Sequence, residues 1–260
     1  PQIPGRIAVK LPAIVAGDTT IRDVHLSAEP SEAGWAVGSL GATLPGRATL
    51  EASGDLVVGD ELDFEGSLLL AVGQPSGFAA WLAKDVDEAV RRLPAAGFSA
   101  DVKLNRERQL FRDLELVLGD AKFRGEIDSL TPVGQKPSMT LRLDGDRLDV
   151  EGMTAFASLF VSDGGRTRLA DRDLTFEIEA GPVTAAGMTA ETLDTALRLR
   201  DGRLEIDRLS VGGLAGANIS ATGSIKDLET DPAGNLDATV IAADLEPLAA
   251  ALAERFPESR

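Results

Sequence analysis

The chain has 260 residues, a formal net charge of −16 and a pI near 4.5, with 43% hydrophobic but only 4% aromatic residues. No cysteine, no tyrosine and one histidine exclude disulfide frameworks, thiolate nucleophiles, Cys-ligated metals and multi-His metal centres. The acidic balance and the scarcity of stacking rings exclude a nucleic-acid surface, and no apolar run approaches the roughly 18 to 20 residues of a membrane span.

The sequence begins at Pro1 with no Met and no signal-like segment, so it reads as a piece of a longer protein whose anchor or export signal would lie outside it. Along the chain the first distinctive run is Asp23-Val24-His25-Leu26, with Ser27 next. Alternation would place Asp23, His25 and Ser27 on one strand face, with Cα atoms about 6 to 7 Å apart in sequence. A catalytic triad is assembled from separate elements, so His25 reads as a solvent-face residue and the chain as not an enzyme. Phe64 to Val72 alternates as a strand carrying Leu68 and Leu70. Phe78 to Val90 follows with Phe78, Trp81, Leu82, Val86 and Val90 at helical spacing. Further strand residues are Val102, Leu104, Leu114, Leu116 and Leu118, then Leu141 and Leu143. Asp144-Gly145 is expected to turn the chain toward Leu148. Gly152 to Val161 is expected as a second amphipathic helix, through Met153, Phe156, Leu159 and Phe160. Phe176 and Ile178 mark another strand. Leu197 and Leu199 run through Asp201-Gly202 into Leu204 and Ile206, the strongest hairpin signal of the chain. Leu236 to Ile241 is a strand, and Leu245 to Phe256 a third helix carrying Leu245, Leu248, Leu252 and Phe256.

Motifs that carry chemistry are missing. There is no phosphate-binding Gly-x-x-x-x-Gly-Lys loop and no Gly-x-Ser-x-Gly elbow. Gly212-Gly213-Leu214-Ala215-Gly216 lies between two strand-like runs and reads as a β-turn rather than a nucleotide fingerprint. Asp144, Asp146 and Asp149 resemble a calcium loop, but Leu148 and Asp149 stand where an oxygen ligand and a glycine are needed. No cofactor and no metal are expected.

Three stretches repeat. Leu44 to Leu56, Leu118 to Ile127 and Leu214 to Ile225 each read turn, alternating strand, glycine, then Leu or Ile. The anchor glycines Gly54, Gly125 and Gly223 are followed each time by a polar loop, an apolar strand and a helix. This predicts one continuous unit over residues 1–260, built from approximate repeats 1–97, 98–165 and 166–260. The fold class expected is mainly β with a few short helices: an elongated, twisted antiparallel sheet curved into a groove. Three short helices are too little to cover one apolar face of 15 or more strands. The sheet must close on itself or leave an apolar trough, and a large exposed apolar patch marks a binding surface. The lining candidates are Leu68, Leu70, Val102, Leu104, Leu114, Leu116, Leu118, Leu141, Leu143, Phe176, Ile178, Leu197, Leu199, Leu204 and Ile206, aliphatic contacts suited to acyl chains.

Gln109-Leu110-Phe111-Arg112-Asp113-Leu114-Glu115-Leu116-Val117-Leu118-Gly119, running on to Gly125, and Phe64-Glu65-Gly66-Ser67-Leu68-Leu69-Leu70 resemble the AsmA family of Gram-negative envelope proteins. Gly202 to Gly213, running on to Gly223, repeats the phrase loosely. The resemblance implies a periplasmic β-groove of the bridge-like lipid-transfer class, belonging to a parent anchored in the inner membrane. It implies phospholipid as cargo, movement toward the outer membrane, outer-membrane biogenesis and homeostasis, and no catalytic residues. Partners would be phospholipid and envelope membrane proteins, with membrane contact through parts outside this sequence. The alternative is a closed-core structural or protein-interaction module of the envelope with no lipid cargo.

Overall fold

A computed structural model of the chain describes residues 5–16, 19–32, 34–59, 61–82, 88–154, 172–227 and 232–255. The order of elements is β1 (Ile7–Ala16), β2 (Thr19–Pro30), β3 (Trp35–Leu44), β4 (Ala48–Val58), β5 (Leu62–Val72), α1 (Pro75–Leu82), α2 (Glu88–Arg92), β6 (Ala96–Leu104), β7 (Arg108–Leu118), β8 (Ala121–Leu130), β9 (Ser138–Gly145) and β10 (Leu148–Asp149). A helical turn α3 (150–154) follows. The chain continues with β11 (Asp173–Ala180), β12 (Val183–Ala185), β13 (Met188–Ala190), β14 (Thr192–Arg200), β15 (Arg203–Leu214), β16 (Ala217–Lys226), β17 (Ala233–Ala242) and α4 (Glu246–Arg255).

Fourteen of these strands form one sheet in the order β1 to β9, then β11, then β14 to β17. The protein is therefore mainly β, with a large, curved, unclosed sheet. At about 4.8 Å per strand the sheet is roughly 60 Å across. Every neighbouring pair in it is antiparallel except β9 and β11, which run parallel through a crossover. The small sheet β10-β12-β13 sits at that crossover.

Local chemistry accounts for the elements. Alternation makes one face of each strand apolar, and the register carries that face from strand to strand. Leu50, Leu70, Phe98, Leu116 and Phe123 lie opposite one another in turn from β4 to β8. Asp201-Gly202 turns β14 into β15 with both residues at positive φ (49° and 72°), the conformation a two-residue hairpin needs. Ala215-Gly216 does the same between β15 and β16, so the glycine-rich run ends in a turn between strands, its first three residues still lying in β15.

The three stretches compared in sequence share one local structure. In each, a bulged strand (β3, β7, β15) precedes a strand with an inner-face glycine (Gly54 in β4, Gly125 in β8, Gly223 in β16). The bulge lies beside that glycine each time: Val37 pairs Gly54, Leu114 pairs Gly125 and Ile206 pairs Gly223. A Cβ on any of the three would intrude on the backbone of the next strand, so glycine lets the strands bend sharply together at these points.

Some expectations are corrected. Asp144-Gly145 does not form a hairpin. Asp146 turns away to accept the Lys122 N–H, and Leu148 pairs in parallel with Val183, donating its N–H to Pro182 O at 2.9 Å. The helix expected over 78–90 starts earlier, at Pro75, and is described as two pieces, α1 and α2. Val86 lies outside the described residues. Of the helix expected over 152–161, α3 contains Gly152 and Met153, and Phe156, Leu159 and Phe160 lie outside the described residues. The third helix matches α4, with Leu248 buried, Leu245 before its start and Phe256 outside the described residues.

Candidate functional site: the inner face of the sheet

The inner face is built by register. It runs through Val9 and Leu11 on β1, Leu26 on β2, Leu40 on β3, Ala52 on β4 and Leu68 on β5. It continues through Ala100 and Val102, Leu114, Ile127, Leu141, Phe176, Leu197, Ile206, Ala221 and Leu236. By this register no Asp, Glu, Lys or Arg occupies the inner face of the fourteen-stranded sheet. The few polar residues on it include Gln109, Ser129 and Thr195, and the Thr195 hydroxyl donates to Arg208 O at 3.3 Å.

The charged residues stand on the opposite face, paired across strands. Arg198 bridges Glu205 and Asp207, Arg208 bridges Asp194, and Arg142 bridges Glu126 and Glu177. The hydrogen bond from Arg198 holds the Asp207 carboxyl below its usual range, and Lys103 does the same for Glu65. Lys136 Nζ lies 2.8 Å from both Asp173 and Asp201, which raises its own pKa and lowers that of Asp201. These pairs are exposed and contribute little each. Their main effect is to keep this face in water.

Because β5, β9 and β17 run in the same direction, α1, α3 and α4 all follow strand ends on one lip of the sheet. The first closes that lip in the middle. Phe78 is 3% exposed, its ring centroid lies 5.7 Å from that of Trp81, and both pack on the core of Ala48, Leu70, Val72 and Ala96. Leu148, Val183 and Met153 close the neighbouring stretch. The two ends of the sheet stay open: Ile7, Leu11 and Ile14 on β1 and Leu236 and Val240 on β17 are large apolar side chains 40% to 56% exposed. The total accessible surface is 16113 Å², against about 11,000 Å² for a compact monomer of this mass.

All fifteen lining candidates lie on this one face. Leu70, Val102, Leu114, Leu116, Leu118, Leu143 and Leu199 are buried by their neighbours. Leu68, Leu104, Leu141, Phe176, Ile178, Leu197, Leu204 and Ile206 are half-buried. The buried set lies mainly over β5 to β9, where α1 and the small sheet cover the face. The half-buried set includes every candidate on β15. The exposed end residues Ile7, Leu11, Leu236 and Val240 are not among the lining candidates. Their signal was present as alternation, but only the sheet order shows that their strands are terminal.

A cleft of about 480 Å³ opens on the solvent face over β2 to β7, lined by His25, Ser39, Glu51, Ser53, Ser67, Leu69, Ser99, Asp101 and Asp113. Short hydroxyl side chains leave the space, with Ser53 Oγ 2.9 Å from Ser67 Oγ. The His25 ring lies over Gly41, where any Cβ would collide with it. Its Nδ1 faces the Asp23 carbonyl oxygen at 3.3 Å, while the Asp23 carboxylate accepts the Thr43 hydroxyl. Asp23 sits at a bulge with φ 53°, and it is its backbone carbonyl, not its carboxylate, that faces the imidazole. No group of three or more potential metal ligands occurs among the described residues.

No family model, no curated protein and no solved structure matches this chain.

Proposed function

We propose that this chain is a lipid-binding and lipid-transfer segment that carries phospholipid acyl chains along the inner face of its sheet. In this reading it is AsmA-like, works in the periplasm between inner and outer membrane, and serves outer-membrane biogenesis and homeostasis. The observation that carries the reading is a charge-free apolar face spanning fourteen strands, neither closed into a barrel nor fully covered by helices. Acyl chains need apolar contact and no directed hydrogen bonds, and this face offers that chemistry. The −16 charge makes a basic handle for anionic headgroups a poor explanation of binding, so apolar burial is the driving term. Lipid extraction of the purified chain followed by mass spectrometry tests this. Phospholipid retained in stoichiometric amounts supports it, whereas a lipid-free chain that also takes up no fluorescent phospholipid from vesicles overturns it.

The packed middle of the face favours a second reading, a structural or protein-interaction module of the envelope with no lipid cargo. That reading expects no lipid and little binding of dyes that report exposed apolar surface.

A further inference from the structure

Among the described residues, β1 and β17 are the terminal strands of the large sheet, and no described strand pairs with the outer row of backbone donors and acceptors of either. Their side chains are complementary. Lys10 is the only charged residue of β1, and Asp237 is the only one of β17. Neither takes part in an ion pair among the described residues. Both stand on the solvent face, because Val9 and Leu236 stand on the inner one.

The two edge strands also run in the same direction, since the strands alternate from β1 to β9, keep direction across β9 and β11, and alternate again to β17. Extending the sheet from β17 into the β1 of another copy therefore makes a parallel joint. The chain already contains such a joint. At β9 and β11, Arg142 pairs with Glu177 on the solvent face, with Nε and Oε2 3.3 Å apart, while Leu141 meets Phe176 and Leu143 meets Ile178 on the inner face. With Lys10 opposite Asp237, Val9 would meet Leu236 and Leu11 would meet Ala238, reproducing that pattern. Pro12 lacks an N–H, which confines the joint to Ile7–Leu11. Nothing on β17 obstructs it: the strand has no proline, lysine or bulge and pairs with β16 over ten residues without a shift.

We infer that β17 of one copy pairs in parallel with β1 of a second copy, joining copies head to tail and continuing the apolar face from one to the next. The contact is heterologous, so it grows into open chains unless its rotation closes a ring. The inference stands on the edges alone and holds whether or not the face carries lipid.

The absence of cysteine gives a clean background. Lys10→Cys and Asp237→Cys variants, mixed and treated with a short thiol-to-thiol cross-linker, should give a mixed dimer that neither variant gives alone. In sedimentation velocity over a concentration series, the unsubstituted 260-residue chain should grow beyond monomer. Lys10→Asp and Asp237→Lys should each weaken association about tenfold or more. The double exchange Lys10→Asp with Asp237→Lys should restore it. A chain that stays monomeric at every concentration overturns the inference. So do association indifferent to the single reversals and cross-links formed equally by one variant alone.

Discussion

Gly125 shows how closely single residues set this fold. A methyl group there would press into the carbonyl of Arg142 on the neighbouring strand. Gly125→Ala should cost roughly 2 to 3 kcal/mol, read as a drop in thermal midpoint. Phe123, 2% exposed on the same strand, fills the core under the α1 lip. Phe123→Ala should cost about 3 to 5 kcal/mol by cavity formation. The charged residues act differently. Asp207, Asp201 and Glu65 have lowered pKa values because cationic neighbours hydrogen-bond their ionised forms. A carboxyl with a lowered folded pKa binds fewer protons folded than unfolded. It therefore contributes stability that is present above its unfolded pKa and lost as pH falls through the carboxylate range. Asp207→Asn should flatten the acid limb of a stability–pH curve and leave the curve's shape above pH 6 unchanged. Chemical denaturation at several pH values measures this. The special roles of the glycines could be suspected in sequence, because they recur before Leu or Ile. Which backbone atom each faces depends on its partner strand, and that has no local signal.

At the scale of elements, the hairpins were the most legible part. Asp201-Gly202 carries its own instruction, since positive φ at both positions disfavours most other residues. Gly202→Val should cost about 1 to 2 kcal/mol while Lys136 still pins the loop through Asp201 and Asp173. Asp144-Gly145 carries the same letters and yet makes no hairpin. There the apolar Leu148 gains more by being buried (4% exposed) beside Val183 than by folding back along β9. The first and third helix positions were legible from spacings of three and four, but the division into α1 and α2 was not. Phe78 and Val90 are both buried and Leu82 between them is 43% exposed, a pattern that a single apolar stripe does not describe.

At the scale of the whole molecule, the face left open is a property of sheet order. Leu236 is 56% exposed on the terminal strand, so Leu236→Arg should leave the thermal midpoint nearly unchanged while reducing phospholipid uptake from vesicles. Leu116, at 9% exposure in the packed middle, should respond the other way, with Leu116→Asp unfolding the chain. Together the two variants separate an open binding face from a closed core.

What the sequence determined by itself was local and periodic: alternating strands, positive-φ turns, amphipathic helices, three recurrences of a glycine-anchored phrase, and the absence of cysteine and of a second histidine. These follow from side-chain type at fixed spacing, which is written in the order of residues. The tertiary structure alone decided which strands are terminal, which part of the apolar face α1 and the small sheet cover, and that β9 and β11 join in parallel. It also decided that a cleft opens on the polar face over β2 to β7. Each of these depends on which distant strand lies beside which, and burial follows from neighbours that alternation cannot name.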